Sequence, residues 1–103
     1  MKALAFVLAL TGVLCGPAFG ETITIHISNF TFDHHDITIK SGTTVTWQND
    51  DDIPHSIIQN DHTFHSPPLD TGDTFSMTFT TAGEIDYFCG FHAKMQGKII
   101  VTQ

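Results

Sequence analysis

The sequence predicts an all-β fold, a two-sheet Greek-key β-sandwich of seven or eight strands, and three observations carry that expectation. Short stretches alternate apolar and polar residues along most of the chain, which is the period of a half-buried strand. Gly, Pro, Asp and Ser punctuate these stretches at close intervals, as turns between short strands require. After residue 20 no stretch repeats its apolar residues with a helical period, which leaves a sandwich as the simplest architecture.

The first twenty residues stand apart. Lys2 supplies a positive start, Ala3–Leu14 is almost continuously apolar, and Ala18-Phe19-Gly20 offers small residues before a cleavage point. That is the pattern of a secretory signal peptide. Pro17 interrupts the run before it reaches the roughly 20 apolar residues that a membrane span needs. Residues 1–20 are therefore expected to be a leader, and residues 21–103 one domain exported to the periplasm and not inserted in a membrane. Cys15 leaves with the leader, and the large Leu14 before it argues against a lipid anchor. Cys89 then remains as the only thiol. A lone cysteine in an exported chain has no internal disulfide partner, so it is an intermolecular bridge, a liability or a ligand.

The strands follow in order. Thr22–Ser28 alternates Ile23, Ile25 and Ile27 with polar residues, and Phe30 and Phe32 continue its apolar face. Ile37 and Ile39 lead to the turn residues Ser41-Gly42, after which Val45 and Trp47 share one face of Thr43–Trp47. Ser56–Gln59 reads as a brief strand, and Asn60–Asp73, with Pro67-Pro68, as the longest irregular stretch. Thr74–Thr80 aligns Phe75, Met77 and Phe79, and Ala82-Gly83 turns the chain into Ile85–Cys89. A domain of this size buries a limited core, so a metal tying two loops together would add to its stability.

Charge narrows the partners. Without the leader, three lysines stand against eleven acids and no arginine, a net of −8. Phosphate neutralisation has almost no basic groups to work with, so nucleic acid is not an expected partner. No feature points to an oligomer, and a monomer is expected.

The chemistry concentrates in Tyr87–Gly97, YFCGFHAKMQG, where Cys89, His92 and Met95 recur at three-residue intervals. A helix would also bring such positions towards one side. The flanks favour a ligand loop between two strands, because Ile85, Tyr87 and Cys89 alternate into the motif and Ile99 and Val101 alternate out of it. A thiolate, an imidazole and a thioether suit copper in both oxidation states, whereas zinc has little use for the thioether. A copper site with cysteine and histidine normally takes a second imidazole. The best candidate is His55, which follows Pro54 and opens a short apolar run, where a loop enters a strand. His55, Cys89 and His92 would then form a trigonal set with Met95 as a weak axial ligand.

Trp47-x-Asn49-x4-Pro54-His55 followed by Cys89-x2-His92-x2-Met95 resembles the signature of the small blue copper proteins, the cupredoxins, over nearly all of the chain after residue 20. The short spacing is most similar to the amicyanins; plastocyanins and pseudoazurins have a longer gap before the methionine. The resemblance implies a periplasmic one-electron carrier holding one type 1 copper that cycles between Cu(I) and Cu(II), and not an enzyme. It implies a dehydrogenase as donor and a c-type cytochrome as acceptor. It also implies that the Ser56 amide donates to the cysteine sulfur and that Asn49 pins the upstream loop. The family usually has asparagine where Ser56 stands, so a weaker clasp between the ligand loops is expected, and Ala93 replaces a proline of the amicyanins. Electrons would pass through His92, ringed by Ile53, Pro54, Phe91 and Ala93, with Asp50–Asp52 nearby to steer a basic partner.

Other assignments compete. Met95 and Met77 could fill the core, and the better reading of Met77, flanked by Phe75 and Phe79, is core. Asp50–Asp52 is first of all a solvated loop. His26, His34, His35, His62 and His65 read as surface residues; a second metal site among His34, His35, His62 and His65 is a minor alternative. For the whole protein the second function is copper delivery or buffering, which the extra histidines would suit. A fragment of a multicopper enzyme would need a further metal centre, for which 83 residues leave no room.

Overall fold

The computed structural model describes residues 20–103, so the expected leader lies outside the described residues except for Gly20. The chain forms β1 (Thr22–Ser28), β2 (Thr31–Phe32), β3 (Asp36–Lys40), β4 (Thr43–Asn49), β5 (Ile58–Gln59), β6 (Thr74–Phe79), β7 (Gly83–Cys89) and β8 (His92–Thr102). One sheet runs β2-β1-β4-β6 and the other β3-β8-β7-β5. This is the expected two-sheet sandwich, with eight strands. Both parallel pairs, β1 with β4 and β3 with β8, join strands distant in sequence. A parallel neighbour cannot be reached by a hairpin, so the chain crosses between the sheets to make each pair.

The period-2 pattern decides which face each strand buries. On β4, Val45, Trp47 and Asn49 point inward, while Thr44 and Thr46 point outward and bond to the hydroxyls of Thr78 and Ser76 on β6, each at 2.7 Å. Ile25, Ile27, Val45 and Trp47 from one sheet meet Ile39, Tyr87, Cys89, Ile99 and Val101 from the other. Trp47 is the hub. Its ring lies 6.0 Å from Phe75, 6.4 Å from Phe64, 6.5 Å from Phe79 and 5.4 Å from Tyr87, and such pairs add about 0.5–1.5 kcal/mol each beyond their buried area. Among the described residues no helix is long and apolar enough to cross a membrane.

Two expectations change. Phe30 does not continue the β1 face. Asn29 and Phe30 both take positive φ, 55° and 58°, and this left-handed pair turns Phe30 outward while Phe32 returns to the core. The expected ligand loop is also much shorter than Tyr87–Gly97. Cys89 pairs with His92 across the two-residue turn Gly90-Phe91, and the chain from His92 onward is already β8. The register then jumps, because Phe88 faces Gln96 while Cys89 faces His92. Ala93, Lys94 and Met95 therefore have no partner in the β7 register. This bulge carries Met95 into the interior, where it is 5% exposed.

Beyond the bulge, Tyr87 pairs with Gly97. A Cβ on Gly97 would lie 2.2 Å from the tyrosine Cζ, so the ring occupies the place of a side chain on the neighbouring strand. Gly97→Ala should cost about 1–3 kcal/mol, the usual penalty of overpacking, read from urea unfolding at constant m-value. Tyr87 also predicts an alkaline limit. Burial raises its hydroxyl from 10.0 to about 12; the indole N–H of Trp47 is near enough to oppose the shift, but neither group closes a hydrogen bond. A raised folded value means the neutral form is favoured by folding, so stability is intact below pH 10 and falls as pH rises towards 12, by roughly 3 kcal/mol over that window. As the only tyrosine, Tyr87 should show phenolate absorbance coincident with that loss, and Tyr87→Phe should flatten the profile.

Candidate metal centre

Three elements meet at one end of the sandwich. His55 stands between β4 and β5, Cys89 closes β7, and His92 opens β8. One donor atom from each of these residues lies within 4.8 Å of the others. The Cys89 Sγ is 3.5 Å from His55 Nδ1 and 3.8 Å from His92 Nδ1. His55 and Cys89 are fully buried, whereas His92 keeps part of its surface in solvent. Three of the four predicted ligands thus come to one place, and Met95, three residues beyond His92, is buried in the core that also encloses Cys89. Among the described residues this is the single group of three or more metal-binding side chains of the His, Cys and acidic types, and His34, His35, His62 and His65 are all exposed outside it.

The upstream loop is fixed by backbone and side chain together. His55 exchanges both backbone hydrogen bonds with Leu69, at 3.1 and 2.7 Å. The buried Asn49 donates from Nδ2 to the carbonyls of Ile53 and Leu69, each at 2.8 Å, and accepts the Asp51 N–H at 2.9 Å. It pins the loop as the resemblance implied. The Ser56 N–H points at the Cys89 sulfur at 3.5 Å, as also implied. The Ser56 hydroxyl accepts the N–H of Gly90 at 3.0 Å, so serine does clasp the two ligand segments. Gly90 has to be small here, because a Cβ would come within 2.6 Å of that hydroxyl.

Sequence reasoning missed two contributors. Phe30, 51% exposed, sets its ring edge-on to His92 at 4.9 Å and to His55 at 5.8 Å. It joins Phe91, 53% exposed, and the exposed Pro54 and Ala93 among the apolar residues at this end. The second is Asp51. Its Oδ2 lies 2.8 Å from His55 Nε2, and its two oxygens accept the N–H groups of Asn29 and Phe30 at 2.7 and 3.0 Å. Burial works to raise the Asp51 carboxyl, but the Phe30 N–H, the His55 ring and the Asn29 N–H outweigh it and hold it below its ordinary value. Asp50 instead bonds the His26 ring at 2.7 Å and Gln48 at 2.9 Å. Asp50 and Asp51 are therefore part of the loop's framework, and only Asp52 remains as the solvated residue the run was expected to be. The one legible signal of this was an aspartate four residues before a ligand histidine.

The donor chemistry fits copper. A buried thiol, two imidazole nitrogens turned towards it and a thioether nearby combine soft and borderline donors, and the other nitrogen of His55 is already bonded, as metal-binding histidines require. Ser56→Ala tests the clasp independently of any metal. It should remove about 1 kcal/mol from the metal-free protein in urea unfolding, while leaving the donor set in place.

Comparison with known proteins agrees with this geometry. The family model described as a Cupredoxin-like domain matches residues 3–101. Amicyanin from Paracoccus versutus is 31% identical over 79% of this chain, which spans 65% of that relative's length. Amicyanin-alpha from Methylorubrum extorquens is also 31% identical, over 98% of this chain and 99% of its own. Among solved structures, a methionine-to-alanine variant of amicyanin with Cu(I) superposes with a TM-score of 0.75 at 29% identity, covering 79% of this chain and 82% of that one.

Proposed function

Because the chain belongs to the cupredoxin-like family, whose cofactor is one type 1 copper, we propose that it is a periplasmic one-electron carrier between larger redox proteins, with His55, Cys89, His92 and Met95 as the copper ligands. The observation that carries this reading is the convergence of a buried thiol and two imidazoles within 4.8 Å, held by hydrogen bonds of the protein's own. Bound copper would supply a centre that accepts and returns single electrons. The protein supplies rigidity. Asn49, Leu69 and Ser56 fix the loop whichever oxidation state is present, which keeps rearrangement on electron transfer small.

The partly exposed His92 is the natural point of electron entry. The apolar residues around it, Phe30, Pro54, Phe91 and Ala93, form a contact surface of the kind that docks a partner. A net charge of −8 after removal of the leader favours partners with basic faces and makes their association sensitive to salt. A dehydrogenase donor and a c-type cytochrome acceptor fit this description, and one copy of the chain is sufficient for the site.

The test is the visible spectrum of the protein from residue 21 onward, taken on addition of Cu(II), on reduction by ascorbate and on reoxidation. An intense blue band that bleaches and returns over many cycles without copper loss is expected, and Cys89→Ser should abolish it in a folded sandwich. A pale product, or copper that escapes on reduction, would replace electron transfer with copper delivery or buffering.

A further inference from the structure

We infer that Asp51 is a positioning residue for the copper site: its carboxylate fixes the proton of His55 on Nε2, holds Phe30 against both ligand histidines, and biases the site towards Cu(II). The inference rests on the copper reading above for its last part only.

An ionised carboxylate only accepts hydrogen bonds, so the 2.8 Å contact between His55 Nε2 and Asp51 Oδ2 requires the hydrogen on Nε2. In the neutral ring Nδ1 then carries the lone pair, and Nδ1 is the atom 3.5 Å from the Cys89 sulfur. Without Asp51, a neutral imidazole could place its proton on either nitrogen, and the wrong choice would block the ligand position. The contact is buried on the histidine side, with 0% of the His55 side chain and 14% of the Asp51 side chain exposed, so water competes weakly for it.

The same carboxylate is itself held in place. The Asp51 N–H donates to Asn49 Oδ1 at 2.9 Å, and its carbonyl accepts the Thr71 hydroxyl at 2.6 Å. Its oxygens also accept the N–H groups of Asn29 and Phe30, the two residues with adjacent positive φ. A left-handed conformation is unfavourable for phenylalanine, and these two charge-assisted bonds offset its cost. One side chain thus sets a ligand's tautomer and the aromatic cover over that ligand and its partner.

The bias towards Cu(II) follows from charge. A carboxylate on the far side of the ring makes the imidazole a stronger donor, and a negative group near the metal stabilises the more positive oxidation state. Loss of such an outer partner changes metal affinity by roughly tenfold or more. If that change falls on Cu(II), it corresponds to a rise in potential of about 59 mV for one electron.

Three variants test this. Asp51→Asn keeps an acceptor oxygen but removes the charge. Asp51→Ala removes both. Asp50→Asn removes one charge at the adjacent exposed position, where the contacts are to His26 and Gln48. In the metal-free protein, ring nitrogen NMR should show His55 solely as the Nε2–H tautomer in the parent and in Asp51→Asn, and as a mixture in Asp51→Ala. With copper bound, Asp51→Asn should raise the potential by the stated amount and Asp50→Asn by much less. A single Nε2–H tautomer in folded Asp51→Ala would overturn the positioning role. Equal shifts in Asp50→Asn and Asp51→Asn would overturn the bias, reducing it to net charge. Failure of the parent to bind copper would sink the bias and the functional reading together, while the metal-free NMR would still decide the tautomer.

Discussion

Two chain segments 34 positions apart must be kept within a hydrogen bond's reach of each other, and the rest of the molecule answers to that constraint. His55 and Cys89 meet at 3.5 Å because β4 and β7, in opposite sheets, end at the same edge of the sandwich. The core sets the separation of those sheets. Trp47, two positions before the buried Asn49 on β4, packs on Tyr87, two positions before Cys89 on β7. The aromatic contact therefore lies two residues before Cys89 on one strand and two before Asn49, which pins the His55 loop, on the other. A change in packing at Trp47 or Tyr87 reaches Cys89 through two strand residues and His55 through Asn49 and the loop it pins.

Most of the buried polar residues gather at the ligand end of the scaffold. Asn49, His55, Ser56 and Ser66 are buried there, and each has bonding partners. Asn49 and Ser56 bond across segments, His55 bonds Asp51, and the Ser66 hydroxyl accepts the Ile57 N–H at 2.9 Å. A buried polar group left without a partner costs about 1–3 kcal/mol, so a network of this kind tolerates only arrangements in which all members are satisfied together. That supplies the specificity that a loop of Asp, Pro and Ser residues would otherwise lack. The two histidines differ accordingly: one is enclosed and bonded on its far side, the other borders solvent.

Much of this was legible in the sequence. Alternation located the strands, since the facing rows of Ile25, Ile27, Val45 and Trp47 need no knowledge of distant contacts. Cys89, His92 and Met95 stood out because soft and borderline donors rarely cluster by chance at three-residue intervals, and His55 followed as the second imidazole that such a set takes. What could not be read was decided by contacts across the chain. Phe30 follows an alternating apolar face in sequence and leaves it only because Asp51, 21 positions away, captures its N–H. Asp51 looked like one of three solvated acids, since nothing local separates it from Asp50. The start of β8 at His92 was hidden by the bulge, where pairing resumes in a register that alternation alone does not set.

The bulge also separates the two things β8 must do. From Gln96 to Val101 its pairing with β7 is locked by which residues face the core, and a slip of one position would expose Ile99 and Val101. Between His92 and Gln96 no such lock exists. Residues gained or lost there would alter how the thioether reaches the thiol and imidazoles while leaving the sandwich in register. The fold can therefore explore different ligand spacings by small insertions at one point, and selection can act on the metal's environment without first having to rebuild the protein that holds it.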